Sequence, residues 1–256
     1  MGTAGRTHVF TESVIRKMTR IAMEHGAINL AQGFPNFPAP QLLKDAAAKA
    51  IQDDVNQYAI TWGAPRLRNA LAAKYEQWYG MPVDPESELT VCCGATEAMA
   101  ATLLAIVDPG DEVIVFEPFY ENYGPDAVLC GATPVFVDMP LEGELDLDAL
   151  GEAFSDRTKA VIVNTPNNPT GRVLTEKELS GIAELCMRFD AYAVTDEIYE
   201  HIYYEGTHIP MATLPGMRER TITVSGASKT FSVTGWRIGT IVAPAAVTDA
   251  IRKVHD

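Results

Sequence analysis

Lys229 sits in SGASKTFSVTGWRIG (225–239), flanked by small residues, with Arg237 eight positions further on. A long amine in a segment this rich in Gly, Ser and Thr suggests a crowded site with something bulky against the backbone. A salt-bridged loop lysine is the ordinary alternative. Four other segments carry groups that could meet the same ligand. GATEA (94–98) runs into a helical pattern, so the amides of Ala95 and Thr96, with the Thr96 hydroxyl, could hold a phosphate at a helix N-terminus. Taken alone, that motif is more simply a strand-to-helix turn with Thr96 as N-cap. EPFYENY (117–123) offers Phe119 and Tyr120 as core aromatics or as a ring stacking on a flat cofactor. NTPNNPTG (164–171) is a turn by composition, in which Asn168 could also be a ligand donor. TDEIYE (195–200) places Asp196 just past an apolar run, where a carboxylate needs a partner or a cap to cap.

These segments occupy equivalent places in the chain. From Glu88 onward, short apolar strands are expected at Leu89–Cys92, Glu112–Phe116, Thr133–Val137, Ala160–Val163, Tyr192–Val194, Thr221–Val224 and Ile238–Val242. Amphipathic helices fall between most of them, among them Glu97–Ile106, Leu147–Phe154 and Glu176–Phe189. The alternation predicts an α/β fold: three α/β/α layers around a mostly parallel seven-stranded sheet buried on both faces. Ligands of such sheets bind beyond the carboxyl ends of the strands, and all five segments are expected there. Upstream, helical patterns at 13–24, 41–51 and 65–78 surround an irregular Gly/Pro-rich stretch, AQGFPNFPAP (31–40). The expected division is an N-terminal arm and substrate-side segment over 1–40 and a large cofactor-binding domain over 41–256.

A phosphate cradle, a stacking ring, an amide donor, a carboxylate and a lysine/arginine pair form one set. Pyridoxal 5'-phosphate requires that set: an amine for its aldehyde, an anion for its ring nitrogen, donors for its phenolic oxygen, and cationic and amide groups for its phosphate.

Composition narrows the alternatives. Twenty Lys and Arg stand against 34 Asp and Glu, a formal charge of −14, which disfavours nucleic acid and anionic membranes as partners. Cys92, Cys93, Cys130 and Cys186 form neither a disulfide framework nor a C-x-x-C pair. The five histidines are scattered, so no metal site is expected. No apolar run approaches membrane-spanning length and no signal pattern opens the chain, so a cytoplasmic protein is expected.

From about Phe10 to its last residue the chain resembles the class I/II aminotransferases of the fold-type-I pyridoxal-phosphate superfamily. It looks closest to the branch holding kynurenine/glutamine, methionine and bacterial aspartate aminotransferases. GASKTFSVTGWRIG (226–239) carries the resemblance, with NNPTG and DEIY in support. The resemblance implies that Lys229 is the Schiff-base lysine and Asp196 the partner of the ring nitrogen. It implies that Asn168 and Tyr199 donate to the phenolic oxygen, with Tyr120 on one cofactor face and Ile198 on the other. Ala95, Thr96, Ser228 and Arg237 fall where phosphate contacts occur. Where many relatives have Ser or Thr three positions before the lysine, this chain has Gly226, and a hydroxyl from Ser225 or Ser228 is expected instead. Tyr58 resembles a tyrosine that reaches the phosphate of a neighbouring subunit, implying a homodimer with shared sites. Gly33 resembles a backbone contact beside the substrate carboxylate, to which Asn168 also belongs.

The implied activity is ping-pong transfer of an amino group from an L-amino acid to a 2-oxo acid. The same constellation serves carbon–sulfur β-lyases, which form the alternative reading. Regulators with aminotransferase-like sensor domains carry a basic DNA-binding module ahead of them, whereas here about ten residues precede the match. In relatives, the segment after a helix like the one starting near Pro244 builds most of a small domain and supplies an arginine for the substrate α-carboxylate. This chain stops at Asp256, so the resemblance implies an incomplete chain that keeps the pocket and transaminates poorly or not at all.

Overall fold

All seven expected strands form in the computed structural model, which describes residues 2–256. They are β1 (Leu89–Cys93), β2 (Glu112–Glu117), β3 (Thr133–Asp138), β4 (Thr158–Asn164), β5 (Tyr192–Asp196), β6 (Thr221–Gly226) and β7 (Ile238–Val242). They join in one sheet of order β1-β7-β6-β5-β4-β2-β3. Pairing is parallel from β3 through β2, β4 and β5 to β6, while β7 runs antiparallel between β6 and β1. Six strands therefore point one way and only β7 is reversed.

The continuous apolar runs bury both faces because side chains alternate across a strand. Val113, Val115, Ala160 and Ile162 pack on one face beneath α4 (Gly94–Ile106), α5 (Tyr123–Leu129) and α9 (Ala245–His255). Ile114, Phe116, Val161 and Val163 pack on the other beneath α6 (Leu147–Ala153) and α7 (Glu176–Arg188). Each of these Val, Ile and Phe side chains, fully buried, contributes about 1.5–3 kcal/mol, and these two clusters fix the strand ends in place. A capping box starts α7: the Thr175 hydroxyl accepts from the Glu178 amide and the Glu178 carboxylate accepts from the Thr175 amide.

Some local elements differ from expectation. α4 begins at Gly94 rather than Glu97, so Cys93 is the N-cap residue and Thr96 lies inside the first turn. α5 and the one-turn α8 (Ala227–Thr230) are too short to show a helical period; α8 falls within a segment read as a loop, and α5 starts at the last residue of another. Upstream, α1 (Val14–Glu24) and α2 (Gln41–Gln52) bury no residue, whereas α3 (Pro65–Tyr79) buries Arg68 and Tyr75. Met23, Leu30, Phe34, Phe37, Leu42 and Ile51 are all exposed in this region, so the apolar surface continues past the expected boundary at residue 40. Among the described residues no helix is long and apolar enough to cross a membrane.

Candidate active site

The carboxyl edge of the sheet gathers the five segments around one cavity of about 550 Å³. Asn164 and Asp196 are the last residues of β4 and β5 and stand side by side in the register. Ala95 and Thr96 open α4 directly after β1, and Ser228 and Lys229 lie on α8 directly after β6. Arg237 arrives differently from expectation: it precedes β7 and so lies at an amino strand end. It reaches the shared edge because β7 is the reversed strand.

Of the residues singled out in the sequence, Gly33, Ala95, Thr96, Tyr120, Asn168, Asp196, Ile198, Tyr199, Ser228, Lys229 and Arg237 line this cavity. Ser225 does not. Its hydroxyl donates to Glu200 at 2.7 Å on the far side of β6, so of the two serines considered only Ser228 faces the cavity. Gly226 has a local cause: a Cβ there would stand 2.5 Å from the Ile238 carbonyl oxygen, leaving no room for serine or threonine in this backbone. Tyr58 is fully exposed and outside the cavity.

Asp196 is buried, and its carboxylate accepts from the Tyr123 hydroxyl at 2.7 Å and from the Ile198 amide at 3.2 Å. Burial raises its pKa; these two hydrogen bonds and the more distant Lys229 charge work in the opposite direction. Lys229 is half-buried, with its Nζ 5.7 Å from the centroid of the Tyr199 ring. Burial depresses its pKa, the Arg237 charge adds to the effect, and Asp196 opposes it. The salt-bridged reading of this lysine has no support, since among the described residues it makes no ion pair. Tyr199 is pushed up to about 12, first by burial and then by the Asp196 charge, so its hydroxyl keeps its proton.

The wall around Arg237 depends on two glycines. Gly94 has φ +81°, and a Cβ there would stand 2.3 Å from the Arg237 guanidinium. A Cβ on Gly239 would stand 2.2 Å from the Gly94 carbonyl carbon. Arg237 can therefore lie against the start of α4, where its Nη2 is 3.4 Å from the Thr96 hydroxyl. Gly239→Ala should push β7 from α4 and lower stability by about 1–3 kcal/mol. An unchanged denaturant midpoint would show that this backbone contact yields freely.

Three contributions escaped the sequence. Tyr123 holds Asp196 from α5. Asn164 accepts from the Asn168 amide at 2.7 Å and donates to the Asp196 carbonyl at 2.8 Å, fixing both loops. Behind the cavity, Glu200 pairs with Lys74 at 2.5 Å and Glu197 with His208 at 3.1 Å. The DEIYE segment thus sends Asp196, Ile198 and Tyr199 forward and both glutamates backward. The first Asn of NTPNNPTG and the tyrosine of ENY were the only signals available for the first two. The fold also brings Cys92, Glu97 and His255 together within 4.8 Å, although the histidines looked scattered. His255 Nδ1 faces Glu97 at 2.6 Å and its Nε2 faces the Thr61 carbonyl at 2.9 Å. Burial opposes its charge, but these two acceptors outweigh burial and raise its pKa.

The donor set fits pyridoxal phosphate. A buried carboxylate with no ion pair among the described residues suits a ring N–H, an amine with a depressed pKa lines the same cavity, and the Gly94 cradle lays a guanidinium beside a helix N-terminus. Comparison with known proteins agrees. The profile described as aminotransferase class I and II matches residues 25–256. A Mycobacterium tuberculosis protein named as a probable N-succinyldiaminopimelate aminotransferase is 43% identical over 98% of this chain and 64% of its own length. Human kynurenine–oxoglutarate transaminase 1 is 40% identical over 93% of this chain and 60% of its own. The solved structure of the M. tuberculosis N-succinyldiaminopimelate aminotransferase superposes with a TM-score of 0.97 at 42% identity, covering 99% of this chain and 67% of that one. The chain thus spans less than two thirds of the length of these curated relatives.

Proposed function

The chain belongs to the class I and II aminotransferases, a pyridoxal-phosphate-dependent family, and from that membership we propose that the whole protein moves an amino group from an L-amino acid to a 2-oxo acid by a ping-pong mechanism. One observation carries this reading: the half-buried Lys229 amine shares a cavity with a buried Asp196 that makes no ion pair among the described residues. The bound cofactor supplies an electron sink for the pair left on the substrate Cα.

The chain's own residues do the rest. Lys229 anchors the cofactor and acts as the base for the Cα proton, a task suited to an amine whose pKa is held down. Asp196, oriented by Tyr123 and the Ile198 amide, holds a proton on the ring nitrogen. Tyr199 and Asn168 donate to the phenolic oxygen, while Tyr120 and Ile198 cover the two ring faces. Arg237, Ser228, Thr96 and the Ala95 amide take the phosphate. Gly33 and Asn168 stand on the substrate side. Residues 41–256 form the cofactor-holding domain and 1–40 the arm.

Screening amino donors against the cofactor-loaded protein tests the reading. Spectral conversion by a donor, reversed by an oxo acid and with parallel double-reciprocal plots, is expected. Release of pyruvate and a thiol from a cysteine conjugate without any oxo acid would replace it with β-elimination.

The active unit is a homodimer, a reading supported by the exposed Tyr58 and the apolar side chains left uncovered along α1 and α2. Mixing Lys229→Ala subunits with Tyr58→Ala subunits should restore activity to about a quarter of wild type, since half the dimers carry one intact site of two. Recovery no greater than either parent would count against sharing. The four free thiols suit a reducing compartment, and the cytoplasm is the proposed location.

A further inference from the structure

One carboxyl in the cavity has no part in amino transfer as described. Asp126, on α5, is 8% exposed, and its Oδ2 is buried with no hydrogen-bond partner among the described residues. Burial pushes its pKa up to about 7, and no protein cation offsets that, although Arg16, Lys229 and Arg237 line the same cavity. Buried acceptors of this kind are costly unless something donates to them. Pyridoxal phosphate would not satisfy it. The one N–H of that ring belongs to Asp196, and its phenolic and phosphate oxygens are acceptors. Tyr123, the nearest hydroxyl on the same helix, is committed to Asp196. A cationic donor entering with the substrate would satisfy it.

The surrounding wall indicates which part of the substrate. The Ser13 hydroxyl donates to the Glu121 carboxylate and ties the start of α1 to the segment leading into α5. Ser13, Ile15, Arg16, Glu121 and Asp126 all line the cavity. This side of the cavity offers Ile15 to an aliphatic stem, the Arg16 guanidinium, and two carboxylates, of which only Asp126 is buried with an oxygen unpartnered among the described residues. We propose that this wall is the substrate side-chain subsite and that Asp126 receives the terminal ammonium of a basic or diamino donor. The proposal rests on the amino-transfer reading of the same cavity.

L-lysine and L-norleucine differ chiefly in that terminal ammonium and are the probes. Calorimetric binding to the cofactor-loaded protein, followed in parallel by the spectrum of the bound cofactor, should show lysine favoured by at least about tenfold. Asp126→Asn should abolish the preference while leaving norleucine within about twofold, because the shape is kept and only the charge is lost. Asp126→Val should bind norleucine at least as tightly as wild type does, and serves if the amide variant folds poorly. No preference in the wild type, or an equal loss of both ligands in Asp126→Asn, overturns the proposal. In the whole protein, preferential binding of lysine without conversion of the cofactor by either donor would sink the amino-transfer reading and leave the Asp126 subsite standing.

Discussion

Lys229→Ala is expected to abolish both turnover and the borohydride-reducible link between protein and cofactor, with the fold intact. The side chain projects from the single turn of α8 into the cavity and makes no ion pair among the described residues, so its removal takes away no structural contact of weight. Its amine is held below the ordinary lysine range by burial and by Arg237, so alanine also relieves a repulsion. The loss should therefore be almost wholly chemical: the covalent anchor goes, along with the base that serves the substrate Cα. Proton transfer alone is worth about 10²–10⁴ in rate, and losing the anchor adds to that. The checks are reduction with borohydride followed by mass measurement, single-turnover kinetics, and circular dichroism to confirm folding. A reducible adduct in the variant would assign the anchor to another lysine.

Asp196→Asn is expected to cut turnover by more than about a hundredfold while the cofactor still binds, the scale of losing a principal electrostatic contact. An amide cannot hold the ring nitrogen protonated by charge, so the electron sink weakens. The same substitution should act oppositely on the cofactor-free protein. Burial raises the Asp196 pKa in the folded state, so the native state holds this proton more tightly than the unfolded chain does. Stability from this group is thus fully present below the unfolded pKa and declines as pH rises towards and through the raised folded value. Asparagine removes that decline, so at neutral pH the cofactor-free variant should be at least as stable as wild type. Adding cofactor should then raise the wild-type melting temperature more than that of the variant. Normal turnover in the variant would remove Asp196 from the mechanism, and equal cofactor stabilisation would remove its charge from cofactor binding.

Much of this protein was determined by local sequence. Strands such as Glu112–Glu117 and Thr158–Asn164 are apolar throughout because both faces are covered, and that alone forecasts a layered, mostly parallel sheet. A parallel sheet brings its carboxyl ends to one edge, so GATEA, NTPNNPTG, DEIY and GASK could be assigned to a common site from their order in the chain. Lys229, Asp196 and Asn168 could be assigned to that edge for this reason, whereas the expected role of Tyr199 came from the family resemblance. Tertiary structure decided which way each side chain turns and what stands behind it. Ser225 and Ser228 are three residues apart in one motif, yet β6 buries the first against Glu200 and α8 carries the second into the cavity. Arg237 joins the site through an antiparallel strand, and strand direction is not written in an apolar run. Tyr123 and Asp126 lie on a helix of seven residues, too short to show a period, so only packing against α4 and the sheet reveals that one supports Asp196 and the other lacks a partner. Local patterns follow from what each residue prefers beside its neighbours; hydrogen-bond partners distant in sequence are chosen only when the layers close.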